Sequence, residues 1–137
     1  MNAGNKIPNH FCTMTTTQKI KIPLKDTTAD AYLITPKNKT KSGILLIHDV
    51  FGIEHEKNKQ ISIKIAEASG CIVLAPDFYR GKPYVPPTTG WDSNHFSEWL
   101  KMFPLNDAGY VFDDISIAYR YLTETLKLEK IGISGLE

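Results

Sequence analysis

Two short runs constrain the fold more than anything else in the chain: "GILLIHD" (43–49) and "CIVLAPD" (71–77). Four aliphatic residues, Ile44 to Ile47, follow one another with no polar residue between them. A strand with one face in water alternates apolar and polar residues. A strand without alternation is buried on both faces, the condition of a parallel sheet covered by helices. Between the two runs, 56–69 carries helical spacing, with Ile61, Ile65 and Ala68 on one face and Gly70 as a C-terminal stop. A third strand, "KIGISG" (130–135), follows a stripe of Val111, Ile115, Ala118, Leu122 and Leu126 that predicts a helix over 107–127. Asp113 and Asp114 lie near its start, where they suit the helix dipole and read as solvated surface. Strand–helix alternation of this kind means right-handed crossovers.

The segments around this frame are weaker signals. "QKIKIPL" (18–24) and "DAYLITP" (30–36) alternate, and the turn-like "KDTTA" between them makes an antiparallel hairpin. The loop 81–95 holds three prolines and two glycines, and loops of that length shape binding sites. "FSEWLKMF" (96–103) predicts a short helix with Trp99 and Leu100 facing inward. Residues 1–17 read as a polar leader without the apolar core of a signal peptide, which makes a cytoplasmic location the default. The net charge of +1 favours neither nucleic acid nor an anionic membrane surface, and no apolar run approaches the length of a membrane span. Cys71 reads as a buried free thiol and Cys12 falls in the leader. No Cys or His spacing suggests a metal site.

In open parallel sheets, ligands bind beyond the carboxyl ends of the strands. Three points of the sequence meet there: His48-Asp49-Val50, Asp77-Phe78-Tyr79-Arg80 and Gly135-Leu136-Glu137. The stretches "GILLIHDVFGIEHEKNKQIS", "GCIVLAPDFYRG", "GWDSNHFSEWLK", "DDISIAYRYL" and "KIGISG", in this order, resemble the dienelactone hydrolase family of α/β-hydrolases, in particular its carboxymethylenebutenolidase homologues of animals. The resemblance implies the N-terminal half of an α/β-hydrolase fold, an antiparallel hairpin plus three parallel strands with crossover helices, broken off at the nucleophile elbow. It implies hydrolysis of a small carboxylic ester or lactone, with no metal or organic cofactor.

In that family the third parallel strand leads into Gly-x-Cys-x-Gly, and the Cys is activated by a His that an Asp orients. Aligned on "KIGISGLE", the first Gly is Gly135, Leu136 takes the variable position, and Glu137 stands where the Cys belongs. The second Gly, the Asp and the His have no counterpart, so this chain reads as an inactive fragment or short form. Ser134 does not substitute: Leu136 occupies the place of the second small residue the elbow needs, and Ser134 reads as a buried hydroxyl of the strand. His48 lies on the buried strand and reads as a core histidine with satisfied nitrogens, and His55 and His95 as surface.

The resemblance gives Asp49 a role in controlling the thiol's ionisation, against a plainer reading as a carboxylate capping nearby amides. It gives the Val50 N–H the part of second oxyanion-hole donor. Arg80 corresponds to an arginine that pairs with a substrate carboxylate in the bacterial members, displaced by one residue, against a plainer reading as a surface arginine on a loop; Tyr79 and Trp99 are candidates to line the same cleft, against core or rim packing. An open "IGIS" edge invites pairing with another chain. The alternative is a non-catalytic binding or regulatory module that keeps the half-sheet and its Arg80 cleft. A flavodoxin-like nucleotide site is disfavoured, because "HDVFGIE" offers one glycine and an acid that repels phosphate.

Overall fold

A computed structural model of the protein describes residues 15–103 and 108–136. In chain order they form β1 (Thr15–Pro23), β2 (Thr28–Pro36), β3 (Ser42–Ile47), α1 (Glu56–Ser69), β4 (Ile72–Pro76), α2 (Ser93–Leu100), α3 (Ala108–Arg120), one π-helical turn (Tyr121–Thr125) and β5 (Lys130–Gly135). The strands make one sheet in the order β1-β2-β4-β3-β5. β1 and β2 pair as the expected hairpin, and β2 pairs antiparallel with β4. β3 pairs in parallel with β4 on one side and with β5 on the other. The two unalternating strands, β3 and β4, are thus parallel neighbours, and β3 lies between β4 and β5.

Each face of the sheet has its own helix. Ile22, Leu24, Leu45 and Leu74 pack with Ala118 of α3 and Leu122 of the π turn. On the other face Ile34, Leu46 and Val73 pack with Ile53 and Ala66 of the α1 side. Among the described residues no helix is long and apolar enough to cross a membrane.

The sequence reading needs correction in several places. Thr15 to Thr17, assigned to the leader by composition, pair with Ile34 to Pro36 in β1. The buried line of α1 is Asn58, Ser62 and Ala66, whereas Ala68 faces solvent. Two of these inward positions are polar, so a search for apolar spacing selects the neighbouring line. α2 begins at Ser93 rather than 96, because Asp92 caps it by accepting from the N–H groups of Asn94 and His95. The long helix ends at Arg120. The chain then closes one wide turn, in which the Leu126 N–H donates to Tyr121 O at 3.1 Å. Cys71 is half-buried rather than core. Cys12, the Val111 side chain and Glu137 lie outside the described residues.

Ser134 is exposed, not buried, and so is Ile133 at 56%. The cause is the placement of the helices. α1 packs on β1, β2 and β4, and α3 on β1, so cover thins toward β5. Ser134 stands level with Leu46 and Ile133 with Leu45, one on each face, and neither helix extends over them.

Glu54, just before α1, ties three elements together. It accepts from the Tyr32 hydroxyl of β2 at 2.7 Å and pairs with Lys19 of β1 at 2.6 Å and Lys59 of α1 at 3.3 Å. The Lys19 hydrogen bond is the largest cause that holds its carboxyl down at about 2. A carboxylate with a depressed folded pKa adds stability above the unfolded value of 4.5 and loses it as pH falls toward 2. The side chain is half-exposed, so the network is worth about 1 kcal/mol or less. Glu54→Gln should lower stability at pH 7 by about 0.5–1 kcal/mol in urea unfolding. The gap to the parent chain should close as pH approaches 2 and narrow in high salt.

Candidate functional site

The carboxyl ends of β3, β4 and β5 come together at one edge. Ile47 is level with Gly135, and the Leu136 N–H donates to Ile47 O at 2.8 Å, which carries Leu136 alongside His48. Leu136 packs into the core on the α1 face. Gly135 is exposed, and a Cβ there would meet open space. Glu137, the position where the family's nucleophile belongs, lies outside the described residues.

After β3 the chain turns sharply through Asp49 to Gly52. The Asp49 carboxylate accepts from the Phe51 N–H at 2.9 Å and from the Asn58 side-chain amide at 2.8 Å. The same Asn58 amide donates to Gly52 O at 2.8 Å. Asn58 is 4% exposed, so its two bonds hold the loop from inside the molecule. Gly52 has φ +82, and a Cβ there would come within 2.9 Å of Pro83, which reserves the position for glycine. Val50 carries the loop's other anchor, its carbonyl accepting from the Tyr84 N–H at 2.8 Å. Among the described residues the Val50 N–H has no acceptor. Asp49 therefore caps local amides as the plainer reading held, while standing beside the N–H that the resemblance singles out.

His48 is 6% exposed and both of its nitrogens are used. The Phe78 N–H donates to Nε2 at 3.0 Å, so the ring proton is on Nδ1, which donates to Asp49 O at 2.7 Å. Burial pushes its pKa below the ordinary value. A neutral imidazole with no spare nitrogen is not a general base. His55 and His95 are exposed.

Tyr79 stands edge-on to His48 at 4.8 Å and to Trp99 at 4.9 Å. Burial, with a smaller contribution from the Asp49 charge, raises its pKa. Trp99 is 7% exposed and its indole N–H donates to Lys82 O at 2.8 Å. Tyr79 thus joins His48, at the end of β3, to Trp99 of α2.

Arg80 is positioned differently. Its backbone is left-handed, φ 55. Its guanidinium donates to Asp26 through Nε at 3.0 Å and Nη2 at 2.8 Å, and to both oxygens of Asp114 through Nη2 at 3.0 and 2.8 Å. The planar fork expected to take a substrate carboxylate is filled by carboxylates of the chain itself. Asp114 is 1% exposed, which corrects its reading as solvated surface; Asp113 is exposed and pairs with Lys25. The Lys25 N–H also donates to Asp114 at 3.0 Å, so this acid joins α3, the β1–β2 turn and the loop after β4. The helical spacing held the signal: Asp114, three residues after Val111 and four before Ala118, falls on the apolar stripe, and Asp113 does not. Asn58 was likewise missed, because a polar residue at a helix start carries no signal of its own.

The sheet order, the two covered faces and the loops gathered beyond the parallel strands define an α/β-hydrolase-type half fold. The comparisons agree. The model of the dienelactone hydrolase family matches residues 29–136, and the chain belongs to that family. A carboxymethylenebutenolidase homolog of Xenopus tropicalis is 30% identical over 105 residues, which are 77% of this chain and 40% of the frog protein. A Klebsiella pneumoniae protein assigned to the dienelactone hydrolases superposes with a TM-score of 0.70 at 20% identity, covering 89% of this chain and 50% of that one. A dienelactone hydrolase of Anabaena variabilis gives 0.61 at 12% identity, covering 90% and 53%. A dienelactone hydrolase-like promiscuous phosphotriesterase from metagenomic libraries gives 0.67 at 16% identity, covering 90% and 49%. At these identities the structures show the fold. The chain spans less than half the length of the frog relative and about half of each structure.

Removing one partner of a buried ion pair leaves the other uncompensated, a loss of about 3–5 kcal/mol. Asp114→Ala should therefore lower stability by about 3 kcal/mol in urea unfolding. Asp113→Ala, one position away and exposed, should change it by less than about 0.5 kcal/mol.

Proposed function

We propose that this chain supplies the oxyanion side of a carboxylic ester or lactone hydrolase of the dienelactone hydrolase type. The observation that carries the reading is the Asp49–Gly52 loop, which Asn58 and Tyr84 hold in place and whose Val50 N–H has no acceptor among the described residues. A fixed backbone donor costs no reorganisation when charge develops on a carbonyl oxygen, and one such donor is worth about 3 kcal/mol to the transition state. The family likeness gives Asp49 the part of biasing the ionisation of a nucleophile thiol, which this chain, with Glu137 at that position, would receive from a partner segment. Tyr79 and Trp99 wall the cleft. Arg80 acts through Asp114 as a positioning residue of the loop after β4.

Among the described residues no serine or cysteine side chain is hydrogen-bonded to a histidine. His48 is neutral and fully bonded, Cys71 lies before β4 at the far end of the sheet, and Ser134 is exposed on β5. The binding-module alternative loses its main support with the filling of the Arg80 fork.

Complementation tests this. The 137-residue protein alone should turn over no p-nitrophenyl acetate above buffer. Mixed or fused with the part of the frog relative that follows its matched segment, it should gain hydrolysis that Asp49→Ala reduces by about tenfold or more. Asp49-dependent turnover by the 137 residues alone, or a folded but inactive complement, would overturn the reading.

A further inference from the structure

Seven large apolar side chains are exposed among the described residues, and four of them lie around Tyr84: Phe51 and Trp91 by ring contact, Val85 and Met102 in a groove that Tyr84 also lines. Tyr84, 2% exposed, is the hub that joins them. Its ring lies 6.4 Å from Phe51, 6.0 Å from Trp91 and 5.5 Å from Trp99. Val85 and Met102 line one groove with Tyr84 and Trp99. The ring contacts run on through Tyr79 to His48, so the wall is continuous with the strand end that carries Asp49.

The backing of this wall is fixed. The Tyr84 N–H bonds Val50, the Trp99 indole bonds Lys82, Gly52 abuts Pro83, and Asp92 caps the helix that carries Phe96 and Trp99. Rings held from behind and exposed in front present faces and edges to a planar guest. The charge pattern narrows the guest further. The arginine of this edge is occupied by Asp26 and Asp114, and an anionic guest would stand beside the Asp49 carboxylate.

We propose that this wall binds a neutral aromatic ring carried on the ester, so that the substrate class is neutral aryl-bearing esters rather than esters or lactones bearing a carboxylate. The inference rests on the proposed hydrolase reading for the word ester, and on the wall alone for the ring.

The test is an NMR titration of the 137-residue protein with three stable amide analogues: N-benzylacetamide, N-(cyclohexylmethyl)acetamide and 4-(acetamidomethyl)benzoate. The benzyl compound should saturate and shift the Trp91 indole signal, and it should bind about fivefold tighter than the cyclohexyl compound. The benzoate should bind more weakly than the benzyl compound. Phe51→Ala and Trp91→Ala should each weaken benzyl binding about fivefold, and Trp91→Phe should restore most of it. Both positions are exposed, so thermal melts should not change. Equal affinity for the ring and its saturated analogue, tighter binding of the benzoate, or Trp91 shifts that depend on protein concentration alone would overturn the proposal, the last by making the patch a contact between copies. Ring binding that survives failed complementation separates the wall from the hydrolase reading. Successful complementation without ring binding discards the wall alone.

Discussion

A strand with parallel neighbours on both sides cannot be reached from either by a tight hairpin, so each pairing of β3 demands a crossover. The chain supplies α1 for the first and α2 with α3 for the second. Crossovers of one hand put their helices on the sheet's two faces and leave the carboxyl ends of three strands at one edge. The loops after β3 and β4 and the residues after β5 meet there because burial of Leu45, Leu46, Val73 and Leu74 on opposite faces admits no other register. The site is thus a consequence of the packing of the central strand.

That edge is fastened by polar side chains placed where apolar ones would have added more burial. Asn58 gives up an inward position of α1 to hold the Asp49 and Gly52 oxygens. Asp114 gives up an inward position of α3 to hold Arg80 and the Lys25 N–H. Buried charge pairs are weak contributors to net stability but costly to break. What they provide here is placement: one fixes the loop after β3, the other the loop after β4, and Tyr79 lies between them against His48.

The same trade explains what could be read from the residues. Strand identity, parallel pairing and the hairpin followed from runs and alternations, because apolar burial leaves a periodic trace. Gly70 was legible as a helix stop, and its φ of 70 with the N–H on Ala66 O is the expected end. The inward line of α1 was misread by one position because Asn58 and Ser62 are polar and serve bonds rather than burial. Asp114 was misread for a related reason: its partner Arg80 lies 34 residues away, and only the fold brings them together. Ser134 was misplaced because its strand type predicts cover that the helices, leaning toward β1, do not reach. Asp49 and Val50 could be singled out only through likeness to a family, since a lone acid after a strand has no period and no spacing.

Under the proposed hydrolase reading, the filling of the Arg80 fork would change how substrates are told apart. A site that pairs a substrate carboxylate draws its specificity from a charge, and rejects analogues lacking it because its own buried cation is then left unmatched. Here Asp26 and Asp114 already pair the cation, so under the proposed reading no such rejection would operate. Discrimination would fall instead to the shape and face of the rings around Tyr84, where a ring contact is worth about 1 kcal/mol. Selectivity of that kind would be broad, because a wall of rings sets no charge for the guest to match. A carboxylate on the guest would meet the repulsion of Asp49, which would grow as water leaves the cleft. The acid that serves the nucleophile of the family would therefore also exclude the anionic substrates that a free arginine would admit.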